Sequence, residues 1–295
     1  MNFRAEYIEL ATQGWLGANL QIRYYGIIIV TAMLIAAFLA ARLAKRDKQD
    51  PDHIWGALTW AIIPAIIFAR LFYVLAPPQS AVAQGLTTAW YFSPDNIFNF
   101  TNGPLAIWAG GLNIFGAVVG GGLGAYLYMR RNKLNMPYWM DIAGITLPLG
   151  QSIGRWANYI NQELYGTVTT LPWGLNIPSD KRVDPYRSLV DYPLDTTRFH
   201  PIFLYESLWN LVAFFVLLWL WQRKRGMLRQ GDIFLLWVMQ YCVIRFLLEF
   251  IRVEVTIVAG VNLWQTVSAV GFVVALVIFL LRRRSAPAAQ KAKAT

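Results

Sequence analysis

The sequence predicts an all-α polytopic membrane protein with seven transmembrane helices and a small outer cap inserted between helices 4 and 5. Three observations predict it. The chain of 295 residues is 57% hydrophobic and only 14% charged, against about 25% charged for a soluble domain. Apolar runs of about 18 residues or more recur along it, and a bilayer core of ~30 Å takes about 20 residues of helix to cross. The connections between those runs alternate sharply in charge, as membrane topology demands.

The predicted spans lie near 25–43, 57–76, 105–129, 140–160, 202–221, 231–252 and 261–281. Residues 1–24 lack the basic start and apolar core of a cleavable signal, so they read as an outer interfacial segment and the first span is retained. The clusters ARLAKRDK, MRRNK, QRKRGMLR and LRRRS mark the cytoplasmic connections. The opposite set holds the loop 77–104, whose only charge is Asp95, and the long segment 161–200. The N-terminus is therefore outside and the C-terminus inside. The formal charge of +10 resides in those short clusters, which reads as topology and excludes nucleic acid as a partner. The chain divides into membrane helices over 25–160 and 201–282, a cap over 161–200 and a solvated cytoplasmic tail over 283–295.

Gly116, Gly120 and Gly124 recur every fourth residue in the third span, a small-residue face that predicts close helix packing. A backbone approached by a lipid head group is the alternative. The cap, rich in Pro, Asp and Thr, is expected to form turns and short strands with little core of its own. Cys242 is the only cysteine and lies in an apolar run, where a thiol packs inertly. No His/Cys/Asp pattern has metal-ligand spacing, and Asp180, Asp184, Asp191 and Asp195 lack the spacing of a calcium loop, so no metal or cofactor is implied.

Charges within the spans carry the functional signal, because an arginine at mid-helix costs ~2.5–3.5 kcal/mol even on insertion scales. Arg70, Arg155 and Arg245 each stand about 13–15 residues above the cytoplasmic end of a span, ~20 Å at 1.5 Å per residue. Asn113 descends about eight residues from the outer end of the third span, ~12 Å, to a similar layer. Tyr205 and Glu206 of the fifth span lie just above it. Arg245, Glu249 and Arg252 form one helical stripe, and Arg155 shares a face with Asn158, with Gln162 a turn further on. Interhelical ion pairs, or Arg252 snorkelling to the interface, would explain single charges. Three arginines converging at one depth instead suit an anion, since guanidinium forks match phosphate oxygens and stay charged in low dielectric. In a membrane the obvious anion is a phospholipid head group.

The stretch GRWANYINQELYG, residues 154–166, resembles the signature of the bacterial prolipoprotein diacylglyceryl transferases, approximately G-R-x-[GA]-N-[FY]-x-N-x-E-x-x-G. Further similar motifs follow in the family's order: RYYG, FARLFYV, WAGGLNIFGAVVGG, HPIFLYE and YCVIRFLLEFIR. They extend from about residue 20 to 280, and only the cap matches in position and character alone. The resemblance implies a seven-helix enzyme of the bacterial inner membrane with a periplasmic cap. It would move the diacylglyceryl group of phosphatidylglycerol onto the lipobox cysteine thiol of a preprolipoprotein signal peptide, forming a thioether and releasing glycerol phosphate. By position it carries over Tyr25, Arg70, Arg155, Asn158, Glu163, Gly166, Arg245 and Glu249. Gly154, Asn161, Gly110, Gly111, Gly116, His200, Tyr205 and Glu206 read as motif or structural residues, and Asn113, from its depth, as a residue beside the head group. Phe115 stands where the family often has histidine or tyrosine, and a phenyl ring can neither take nor donate a proton.

In that reaction a leaving phosphodiester becomes a monoester and gains negative charge, so donors aimed at it favour the transition state. Arg155 and Arg245 suit that work. A thiol with a pKa near ~8.5 needs a base at neutral pH; the candidates in order are Glu249, Glu163 and His200. A retinal protein is excluded, since residues 261–281 hold no lysine. A transporter or channel for an anionic lipid or organic anion is the alternative, although no internal repeat of spans is evident.

Overall fold

The structure, a computed structural model, describes residues 2–3, 7–10, 20–107, 110–258 and 260–284. The rest of the predicted N-terminal segment and the tail from 285 lie outside the described residues. Among those described, seven helices have 17 residues or more: α1 (Tyr24–Arg46), α2 (Asp52–Leu75), α3 (Ile114–Arg131), α4 (Met136–Asn161), α5 (Ile202–Arg223), α6 (Asp232–Leu248) and α7 (Leu263–Arg284). Four of them, α1, α2, α5 and α7, are long and apolar enough to cross a membrane. Their side chains leave large apolar groups exposed, among them Phe38, Ile63, Val212, Phe215 and Val270, a surface that water would not tolerate but lipid does.

Two departures from a purely helical chain are small sheets. Strands β1 (Asn2–Phe3), β2 (Tyr7–Leu10) and β3 (Leu20–Arg23) pair antiparallel in that order, with Ile8 opposite Ile22. The apolar–polar alternation of Leu20-Gln21-Ile22-Arg23 is the period of a strand, a pattern hidden in what reads as an interfacial segment. Strands β4 (Ile257–Val258) and β5 (Val261–Asn262) form a short hairpin before α7.

The chain forms two compact units, residues 41–136 and residues 1–40 with 137–295. In the first, α3 lies on α2 through its glycines. A Cβ on Gly116, Gly120 or Gly124 would overlap the carbonyl oxygen of Phe68, Pro64 or Trp60 respectively, so each four-residue step on one helix meets a four-residue step on the other. The small-residue face is thus spent on packing. Replacing Gly120 with leucine should destabilise this unit by more than ~3 kcal/mol through overpacking. Gly122→Leu is the control, because nothing lies within 4 Å of its Cβ position. Thermal unfolding in detergent should drop for the first variant and hold for the second; equal behaviour would refute this packing.

The predicted third span, 105–129, is corrected at its start. The helix begins at Ile114, and Asn113 is its N-cap, the side chain accepting from Phe115 N at 2.8 Å. Gly110 (φ 84°) and Gly111 (φ 65°) hold the chain in left-handed backbone just upstream, a conformation glycine adopts without steric cost. Asn113 therefore marks a helix end and does not sit eight residues down a span. Its backbone N–H donates to Ala69 O at 2.9 Å.

The second unit is tied together by polar contacts between apolar helices. Asp141 of α4 accepts from Gly231 N (2.6 Å) and Phe234 N (3.0 Å), capping the start of α6. Ser207 of α5 donates to Ser152 O of α4 at 2.9 Å. Trp237 donates to Gln151 Oε1 (3.2 Å) and Trp209 to Gln240 Oε1 (2.7 Å). A Cβ on Gly154 would meet Ile29 of α1 at ordinary contact distance. Cys242, partly buried, lies beside Gly271 of α7.

The segment 161–200 is expected to hold little core, yet it builds one. Tyr165, Ile177 and Phe199 are buried together, with Leu175, Val183, Tyr186 and Val253 against them. Arg182 is fully buried and donates to Ile177 O (2.8 Å) and Tyr192 O (2.6 Å), its guanidinium stacked over Phe199. An arginine in a polar segment reads as solvated; here it replaces the secondary structure the loop lacks. Burial pushes the Tyr165 phenol above its ordinary range, so it remains a neutral hydroxyl that accepts from Val183 N at 2.7 Å.

Candidate functional site

α4 ends at Asn161, and the next turn places Gln162 (φ 54°) and Leu164 (φ 55°) in left-handed backbone. That turn corrects the expected helical face beyond Asn158: Gln162 folds back to donate to Tyr159 O at 2.9 Å. The same turn brings Glu163 back to Asn158, whose Nδ2 donates to Glu163 Oε1 at 2.8 Å. Downstream, Gly166 N donates to His200 O (2.9 Å) and Thr167 N to Ile251 O (2.8 Å). A Cβ on Gly166 would come within 2.7 Å of Ile251 O and 2.8 Å of His200 Cβ, so the last glycine of the motif admits the chain between the starts and ends of two other elements.

A small, partly open cleft is lined by Arg155, Asn158, Leu164, Ile202, Phe203, Glu206, Arg245 and Arg252. Three guanidinium groups from α4, α6 and the chain just after α6 thus meet at one cavity. Arg155 reaches Glu206 Oε1 with Nη2 at 2.5 Å and Asn158 Oδ1 with Nη1 at 3.3 Å. Arg245 pairs with Glu249 Oε1 at 2.6 Å, and Arg252 approaches the same oxygen at 3.5 Å. The Glu206 and Glu249 side chains are 1% and 0% exposed. Two buried carboxylates against three arginines leave one positive charge in excess, and Arg252 Nε, also buried, has no hydrogen-bond partner. Such a cluster is stable only with an anion or water to complete it.

The predicted stripe 245–249–252 survives as contacts although α6 stops at Leu248: Glu249 is its C-cap and Arg252 faces Gly166 in a β-bridge. The cavity lining does not include Glu249, whose second oxygen accepts from Asn262 Nδ2 at 3.1 Å. Glu163 is exposed next to the cavity residue Asn158. Tyr25 lies close enough to Glu163 and Arg155 for both charges to act on its hydroxyl. His200 Nδ1 is 3.1 Å from Tyr205 Oη, which also accepts from Trp173 Nε1 at 3.0 Å.

Arg70 and Asn113 belong to the other unit. Arg70 is buried and donates to four carbonyls, Gly103 (2.7 Å), Pro104 (3.1 Å), Gly110 (2.6 Å) and Gly111 (3.2 Å). Tyr73 and Tyr91 flank it, each ring centroid 5.6 Å away. Its guanidinium is occupied by backbone.

Sequence reasoning placed Glu206 only as a motif residue and did not see that it pairs with Arg155. It missed Tyr241, which lies among the charges of Glu206, Arg155 and Arg245. It also missed Asn262, although an Asn immediately before an apolar run is a helix-start signal.

Helices long and apolar enough to cross a bilayer define a membrane protein, and three of its arginines line one cleft. Residues 15–281 match the family described as Prolipoprotein diacylglyceryl transferase. The chain is 38% identical over 283 residues to the phosphatidylglycerol–prolipoprotein diacylglyceryl transferase of Chloroflexus aggregans, covering 91% of this chain and 87% of that one. It is 37% identical to the Synechococcus elongatus enzyme of the same name (91% and 87% covered) and 33% identical to that of Pediococcus pentosaceus (90% and 88%). The chain belongs to the prolipoprotein diacylglyceryl transferase family.

Proposed function

We propose that this chain transfers the diacylglyceryl group of phosphatidylglycerol to the lipobox cysteine of a preprolipoprotein signal peptide. The thiolate sulfur attacks the glycerol carbon that bears the phosphate. A carbon–sulfur bond forms, the carbon–oxygen bond breaks, and glycerol phosphate leaves with the electron pair. The phosphodiester enters with one negative charge and leaves as a monoester with a second one developing. The observation that carries this reading is the cavity where Arg155, Arg245 and Arg252 meet with one positive charge in excess. It balances the diester, and its forks are already in place for the growing charge. The phosphate meets the guanidinium groups that line the cleft, and the acyl chains lie along the apolar helix faces.

Within that site Arg155, Arg245 and Asn158 meet the head group, with Tyr25 beside Arg155. Glu249, both of whose oxygens are engaged, holds Arg245 and Arg252 in place. Glu163 is the better candidate for the thiol's base, because Oε1 is fixed by Asn158 while the residue stays exposed. Arg70 braces the backbone at Gly103, Pro104, Gly110 and Gly111, and Asn113 caps α3. All seven long helices cross the plasma membrane, with basic clusters on the cytoplasmic side, and the segment 162–200 forms the periplasmic cap.

Purified protein in vesicles of phosphatidylglycerol with a lipobox peptide should yield a peptide heavier by one diacylglyceryl group and equimolar glycerol phosphate. A peptide unchanged in mass while anionic lipid moves between leaflets would establish a transporter instead.

A further inference from the structure

We propose that Asn262 is a positioning residue of the phosphate site, holding Glu249 so that Glu249 can hold Arg245 and Arg252; this rests on the assignment of those arginines to the phosphate. Asn262 closes the β4–β5 hairpin. Its Oδ1 accepts from Trp264 N (3.0 Å) and Gln265 N (3.2 Å), so it is the cap of α7. With the amide oxygen committed there, Nδ2 is fixed on the opposite side and donates to Glu249 Oε2 at 3.1 Å. The other Glu249 oxygen faces Arg245 at 2.6 Å and Arg252 at 3.5 Å. A carboxylate caught between two cations could rotate towards either. A donor on its second oxygen sets the plane of the carboxylate, and with it the distance between the two guanidinium forks.

The geometry allows capping and positioning to be separated, because aspartate caps a helix as well as asparagine does. Asn262→Asp keeps Oδ1 for Trp264 N and Gln265 N but replaces the donor facing Glu249 with a second negative oxygen. It also cancels the excess positive charge of the cluster. Thr256→Val is the control: it removes the bond from Trp264 Nε1 to Thr256 Oγ1 (3.2 Å) in the same hairpin without touching Glu249.

In phosphatidylglycerol vesicles with the lipobox peptide, Asn262→Asp should lower kcat/KM for the lipid about tenfold or more. Two carboxylates then face each other, so the thermal midpoint should fall and kcat/KM is read at a temperature where the variant is folded, while Thr256→Val should be unchanged in both. Moving the carboxylate across the contact, Glu249→Gln with Asn262→Asp, should recover part of the loss, which two independent defects would not do. Calorimetric titration with glycerol phosphate gives a readout apart from turnover, and Asn262→Asp should weaken it by a similar factor. An active wild type with Asn262→Asp equal to it in both measurements would overturn the positioning role alone. A wild type that neither transfers nor binds glycerol phosphate would overturn the assignment of the site and this role with it.

Discussion

Arg155→Lys should lower transfer from phosphatidylglycerol about 10²–10³-fold, the scale on which a single preorganised donor acts on developing charge, while leaving the fold intact. The expectation follows from how Arg155 is used. One end of its guanidinium is committed to Glu206 at 2.5 Å and the other reaches Asn158 at 3.3 Å, so the planar group is held across the cavity it lines. A lysine ammonium can satisfy Glu206, and that preserves stability because the carboxylate, almost wholly buried, keeps a cation. It cannot also present a fork to a phosphate. Arg155→Ala is the less informative change: it leaves Glu206 as an uncompensated buried charge, at ~3–5 kcal/mol, and loss of turnover would mix with unfolding. Arg155→Lys protein that melts like the wild type and transfers within threefold of it would remove Arg155 from the phosphate site.

How far the sequence foretold the site depends on the kind of residue. Arg155 and Arg245 were legible because a charge inside an apolar run has few explanations, and a helix of known rise fixes its level without any tertiary knowledge. Arg70 met the same test and yet is bound to four carbonyls. Depth reports where a guanidinium stands but not what it touches. The pairing of Arg155 with Glu206, 51 positions away, could not be read from spacing at all. The start of α3 was misplaced because residues 105–113 are apolar enough to continue a span, whereas Gly110-Gly111 followed by Asn113 is turn and cap chemistry. Apolar length outweighed that local signal. The core of the segment 162–200 was missed for the opposite reason: polar composition concealed an arginine that organises three buried apolar side chains.

The identity of the base separates Glu163 from the arginines by its response to pH. Glu163 Oε1 accepts from Asn158 Nδ2 at 2.8 Å, and its backbone N–H donates to Asn158 O at 3.1 Å, so the carboxylate is fixed to a cavity residue while remaining exposed to an incoming peptide. Glu163→Gln keeps an acceptor oxygen for Asn158 but cannot take a proton. At neutral pH, where a thiol of pKa ~8.5 is only a few per cent ionised, turnover should fall about 10²-fold or more, the usual contribution of a general base. The sign of the pH dependence follows from the thiol. Below its pKa the proton must be removed during reaction and the deficit is full; as pH rises through about 8.5 the thiolate forms without help and the deficit should shrink towards the wild-type rate. Arg155→Lys should show no such recovery, because its loss concerns the leaving group at every pH. Profiles of kcat from pH 6 to 9.5 for both variants decide the matter: a Glu163→Gln deficit that stays constant across that range would assign the proton to another group and leave Glu163 as a support for Asn158.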